Sequence, residues 1–98
     1  MKRYVLLEDK TIVDTKKYNC YKIYENTLWH NSMLLDTILK QSDNLIDLLE
    51  VGDCVEFKDD IVYLSEGILN GYKWLGIEKV GIIALWKRDG DVMRRYER

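Results

Sequence analysis

Gly81-Ile-Ile-Ala-Leu-Trp-Lys-Arg-Asp-Gly-Asp-Val-Met-Arg-Arg-Tyr96 reads as two short strands joined by a tight turn. Asp89-Gly90 is a strong two-residue hairpin signal, because the glycine takes a positive φ at no steric cost. With Asp89-Gly90 as the loop, Trp86 is expected opposite Met93, Leu85 opposite Arg94 and Ile83 opposite Tyr96. One face then carries Ile83, Leu85, Val92 and Tyr96, and the other Ile82, Ala84, Trp86 and Met93. Both faces are rich in apolar groups, so the second is expected to be covered by a helix, a loop or a partner.

Working outward, the rest of the chain reads as further hairpins. Tyr4–Leu7 and Thr11–Asp14 flank Glu8-Asp9-Lys10, and Cys20–Tyr24 turns at Glu25-Asn26 into Thr27–Trp29. Cys54–Lys58 and Ile61–Leu64 pair across Asp59-Asp60. Leu34–Lys40 fits either a helix or a strand, and the strand is favoured. Ser42 or Asp43 is placed to cap a short helix, Asp43–Glu50, with Leu45, Ile46, Leu48 and Leu49 on its apolar face. Gly52 ends it. Glu66–Lys79, with Gly67, Gly71 and Gly76 among its apolar residues, reads as an apolar loop or one helical turn. The fold class expected is α+β, mainly β: a small antiparallel sheet or partly open barrel of hairpins with one or two short helices, as a single domain over residues 1–98.

Composition narrows the function classes. Seven Tyr, three Trp and one Phe supply a large apolar payload in 98 residues, and 33% charged residues is ordinary for a globular chain. Proline is absent. A formal net charge of −2 argues against generic duplex binding by charge alone. The opening Met1-Lys-Arg is followed only by the short run Tyr4–Leu7, too brief for a secretory core, and no apolar stretch approaches the roughly 18 residues of a spanning helix. A cytoplasmic protein with Cys20 and Cys54 reduced, and no membrane association, is therefore expected.

No chemistry is named by the side chains. His30 is the lone histidine and has no second ligand at metal spacing. A Cys20–His30 or Cys54–His30 nucleophile pair has nothing but its residue types in favour. The glycines lack the strand-to-helix context and the Lys-Ser/Thr of a phosphate cradle, and Asp59-Asp60 falls at a hairpin tip. The expectation is a protein that is not an enzyme and needs no cofactor and no metal.

Charge is unevenly distributed. Asp43, Asp47, Glu50, Asp53, Glu56, Asp59, Asp60 and Glu66 face a single base, Lys58, in the middle of the chain. The first seven could place carboxylates where a nucleic acid has phosphates and occupy a basic channel of a protein partner. The last hairpin collects Trp86, Lys87, Arg88, Arg94, Arg95 and Tyr96, a mix suited to holding a phosphate backbone and stacking bases. The bland readings are a solvated acidic helix and hairpin, and arginines paired with Asp89, Asp91 and Glu97.

The block Lys40-Gln-Ser-Asp-Asn-Leu-Ile-Asp-Leu-Leu-Glu-Val-Gly-Asp53, leading into a strand, resembles a group of small proteins from phages and prophages of low-GC Gram-positive bacteria. The closing Ile83-Ala-Leu-Trp-Lys-Arg-Asp-Gly-Asp-Val-Met-Arg-Arg-Tyr-Glu97 resembles the same group's C-terminal hairpin. The group offers no activity to transfer, so no site residue carries over. The resemblance implies a setting, a phage accessory protein in the cytoplasm of an infected bacterial host. In that setting the leading expectation is an anti-CRISPR-type counter-defence inhibitor that binds a host defence protein such as a Cas effector stoichiometrically. The alternatives are a small nucleic-acid-binding module on the basic hairpin and a sponge for a nucleotide signal. The doubly apolar last hairpin and the Tyr72–Leu75 aromatic loop permit a homodimer without demanding one.

Overall fold

Short runs of alternating apolar and polar residues, unbroken by proline, pair with their neighbours wherever two or three turn residues intervene. The computed structural model describes Met1–Arg98 and realises this as nine strands, a 3-10 turn and two helices. The strands are β1 (Tyr4–Leu7), β2 (Ile12–Asp14), β3 (Tyr21–Tyr24), β4 (Thr27–His30), β5 (Met33–Ser42), β6 (Cys54–Phe57), β7 (Asp60–Tyr63), β8 (Ala84–Asp89) and β9 (Val92–Glu97). The 3-10 turn is Leu45–Leu48, and the helices are α1 (Glu66–Leu75) and α2 (Ile77–Val80). The fold is α+β and mainly β, built from two antiparallel sheets ordered β2-β1-β5-β4-β3 and β7-β6-β8-β9.

The ten residues of β5 make the first sheet bend. Its C-terminal half pairs with β1 and its N-terminal half with β4, with register shifts beside Leu7 and Trp29. As a result β1 is buried on both faces. Tyr4 and Leu6 meet Val55 of β6, Leu85 of β8 and the 3-10 residues Leu45, Ile46 and Leu48 in the main core. Val5 and Leu7 turn the other way, into a small second cluster with Leu28 and Ile38. Leu69 and the half-buried Tyr72 bring α1 into the main core, where Tyr72 meets Phe57 edge-on.

Several local expectations need correction. The helix expected over Asp43–Glu50 is only the 3-10 turn Leu45–Leu48, and neither Ser42 nor Asp43 caps it. Ser42 ends β5 and its hydroxyl donates to Asp47 Oδ2 at 2.8 Å, while the Asp43 carboxylate accepts from Arg3 N at 2.9 Å. The segment must bury Leu45, Ile46, Leu48 and Leu49 together, each at most 4% exposed, and that demand outweighs local propensity. Glu66–Lys79 is not a loop or a single turn. Ser65 Oγ accepts from Ile68 N at 3.3 Å and starts α1, and Gly67 and Gly71 are carried inside it.

Two hairpins are also shifted. In β6–β7, Phe57 faces Asp60, so the loop is Lys58-Asp59 and not Asp59-Asp60. In β8–β9, Asp89 faces Val92, so the loop is Gly90-Asp91. Trp86 therefore lies opposite Arg95, and Leu85 opposite Tyr96, two residues from the expected partners. Ile83 precedes the strand and is 41% exposed. A shift of two leaves the side chains of β8 and β9 on their expected faces, since strand periodicity is two. Ile82, ahead of the strand and expected on the face opposite Leu85, is instead buried in the main core with it.

Candidate functional site

Val62, Val55, Phe57, Leu85 and Tyr96 point from the second sheet into the main core. Alternation sends their neighbours to the opposite face, where Cys54 and Ala84 are buried and the edge strand is open to solvent. Cross-strand register aligns that outer face in two rows. Tyr63, Cys54, Trp86 and Arg95 form one, and Ile61, Glu56, Ala84 and Glu97 the other. Tyr63 is 68% exposed and Ile61 49% exposed, on the edge strand β7.

Glu56 organises the middle of this face. Its Oε1 accepts from Trp86 Nε1 and from Arg95 Nε, both at 3.0 Å, and its Oε2 accepts from Arg95 Nη2 at 3.2 Å. Arg95 also reaches Glu97 at 3.4 Å, and its guanidinium lies 6.0 Å from the Trp86 ring centroid. The Arg95 hydrogen bonds, then that from Trp86, hold the Glu56 carboxyl below its ordinary range. Under this network Cys54 is buried, and burial pushes its thiol up, away from the reactive thiolate. The arrangement is a fixed aromatic and arginine surface with an apolar edge and no activated nucleophile.

The residues expected to bind a partner are dispersed. Of the acidic set, Asp53 is 2% exposed and lies inside the molecule, receiving Lys87 Nζ, Glu50 N and Arg88 N. It is not a surface residue, because it is the acceptor for a buried amine. Glu56 belongs to the outer face just described. Asp47 is tied to Ser42, Asp43 is exposed beside Lys2 and Arg3, and Glu50 is exposed within 3.9 Å of Lys10. Asp59 and Asp60 stand exposed at the β6–β7 tip.

The basic hairpin likewise does not form one strip. Lys87 is 0% exposed, which removes it from any surface. Its strand position shares the inward face of β8–β9 with Arg94 and the half-buried Tyr96, which meets Tyr4 edge-on. Trp86, Arg88 and Arg95 point the other way, and Arg94 pairs with Asp89 at 3.8 Å. His30 stacks on Tyr21 with ring centroids 4.4 Å apart, and its Nε2 lies 3.1 Å from Asn19 O. No group of three or more His, Cys, Asp or Glu side chains converges on a metal-sized site.

Ile61 and Tyr63 were not singled out by sequence reasoning. Their signal was present in the parity of Ile61-Val62-Tyr63, where a core-facing Val62 forces both neighbours outward on an edge strand. No protein-family model matches the chain, and no curated protein or solved structure matches it.

Proposed function

We propose that this chain is a small binding domain that acts by docking the outer face of its second sheet against another protein, without chemistry of its own. The observation that supports this reading is the row Tyr63–Trp86–Arg95, with Trp86 and Arg95 locked by Glu56 and the exposed apolar edge Ile61 alongside. Tyr, Trp and Arg are the residue types that dominate binding energy in protein interfaces. A surface already ordered in the free protein loses less side-chain entropy on association. Asp59 and Asp60 beside Ile61 add negative charge at one rim, which favours a partner with a basic border.

The resemblance of the Lys40–Asp53 and Ile83–Glu97 segments to phage accessory proteins implies a setting only, and the partner class is our proposal within that setting. It is a bacterial defence effector, such as a Cas nuclease, inhibited by stoichiometric occupation. The test is titration of the chain into a panel of purified defence nucleases, read by calorimetry and by nuclease activity. A one-to-one complex that weakens at least tenfold in Tyr63→Ala and Ile61→Ser is the expected result. A complex that both variants preserve, but that charge reversal of Asp59 and Asp60 abolishes, would move the interface to the acidic rim. No complex with any effector would remove the inhibitor reading.

A further inference from the structure

The first sheet also turns a group of aromatic residues outward, distant in sequence from the one above. Ile23 and Leu28 turn into the small cluster under β1, so Lys22, Tyr24 and Trp29 on alternating positions face outward. Lys22 lies directly opposite Trp29, and Tyr24 is one alternation away on the same face. With Cys20, Asn31 and Ser32 at the hairpin ends they line an open depression of about 810 Å³.

Three features of this depression point to a ligand chemistry. Trp29 is fixed and its only donor is used, because Nε1 donates to Thr27 Oγ1 at 2.9 Å and the Thr27 hydroxyl donates in turn to Tyr24 O. What Trp29 has left to offer is π surface. Tyr24, 59% exposed, offers a second ring. Lys22 is exposed, it is the one charged residue in the walls, and none of the molecule's ion pairs includes it. Two rings beside an unpaired ammonium complement a flat ring that carries an anion.

We propose that the outer face of β3–β4 is a second binding site, for a nucleobase bearing a phosphate: the base stacks on Tyr24 and Trp29, and Lys22 receives the phosphate. Base–aromatic stacking tolerates any base, so the site selects the ring-plus-anion class and not a sequence. The same chemistry is offered by a free mononucleotide or by one residue of a single strand.

The test is an amide and indole NMR titration of the intact chain with the four ribonucleoside 5′-monophosphates, adenosine, inorganic phosphate and an eight-residue oligothymidylate. Mononucleotides are expected to shift Lys22, Tyr24, Asn31 and the Trp29 indole signal, with adenosine at least tenfold weaker and phosphate silent. Lys22→Glu and Tyr24→Ala, both at exposed positions, are each expected to lower affinity at least tenfold with unchanged circular dichroism. Shifts with the oligomer alone, lost in the same variants, assign the site to single strands. Absence of shifts with every probe at millimolar concentration, or binding that Lys22→Glu leaves intact, overturns the proposal.

Discussion

Lys87 Nζ lies 2.5 Å from Asp53 Oδ2, and both side chains are almost wholly buried, at 1% and 3% exposed. The amine also donates to Leu48 O at 2.6 Å and lies 3.5 Å from Glu50 Oε1. The second carboxylate oxygen of Asp53 accepts from Arg88 N. One buried ion pair thus fastens the 3-10 turn and the loop after it to β8 of the second sheet. Removing one partner leaves an uncompensated charge in the core. Lys87→Met is therefore expected to cost about 3–5 kcal/mol in urea denaturation. The double variant Lys87→Met/Asp53→Leu is expected to lose less than the sum of the single losses. It will not recover fully, because Glu50 N and Arg88 N lose their acceptor. Strict additivity would show that the two groups are not coupled.

Glu56 provides a pH readout of the outer face. Its folded-state value is depressed by the Arg95 hydrogen bonds first and by Trp86 second. A depressed carboxylate contributes stability that is present above the unfolded value, about 4.3, and lost as pH falls through the folded one. Carbon-detected NMR of the Glu56 carboxyl should give a midpoint below the ordinary glutamate range, with Trp86 indole shifts following the same curve. Arg95→Met is expected to move that midpoint upward. An unchanged midpoint would mean that the ion pair does not persist in solution.

The two thiols should behave differently. Cys20 is exposed and Cys54 is buried, with burial holding the Cys54 thiol in its protonated form. Iodoacetamide at neutral pH is expected to label Cys20 in the native protein and Cys54 only in denaturant, as read by peptide mass spectrometry. Equal labelling of both under native conditions would contradict the packing of β6 beneath Tyr63 and Trp86.

Substitutions in and around α1 should move stability in opposite directions. Ser65→Ala removes the cap on Ile68 N and is expected to cost about 1 kcal/mol. Gly71 sits in helical backbone, and a Cβ there would meet nothing within 4 Å. Gly71→Ala is therefore expected to stabilise by about 0.5–1 kcal/mol. Thermal denaturation of the two variants settles both signs, and a destabilised Gly71→Ala would mean that this helix face is not free.

The strands of this chain were legible because a half-buried sheet writes its period into consecutive residues. Tyr4–Leu7 lies where alternation puts it, and Cys20–Tyr24 and Thr27–Trp29 are each within one residue of β3 and β4. Strand β8 starts three residues later than expected, yet even the two-residue register error left Leu85 and Trp86 on their proper faces. The Asp43–Glu50 and Glu66–Lys79 segments were misread for a common reason. Their apolar residues answer to partners far along the chain: Leu45 and Leu48 to β1 and β8, and Leu69 and Tyr72 to the core beneath the second sheet. Glycines inside α1 hid its helical period.

Sequence alone determined a mainly antiparallel α+β architecture, the faces of its strands and the composition available for binding. It did not determine which charges reach solvent. Lys87 alternates onto the same side as Leu85, yet among Arg88, Arg94 and Arg95 it read as one more surface base. Asp53 read as one acid in an acidic run. Tertiary structure removed both by bringing positions 34 residues apart into contact, and it tied Glu56 to Arg95 on one sheet face. It also turned two groups of aromatic residues outward, one around Tyr63 and Trp86, the other around Lys22, Tyr24 and Trp29. Side-chain direction is a local property of a strand, whereas burial and ion pairing depend on which strand arrives next to it. That choice is made by packing the whole chain.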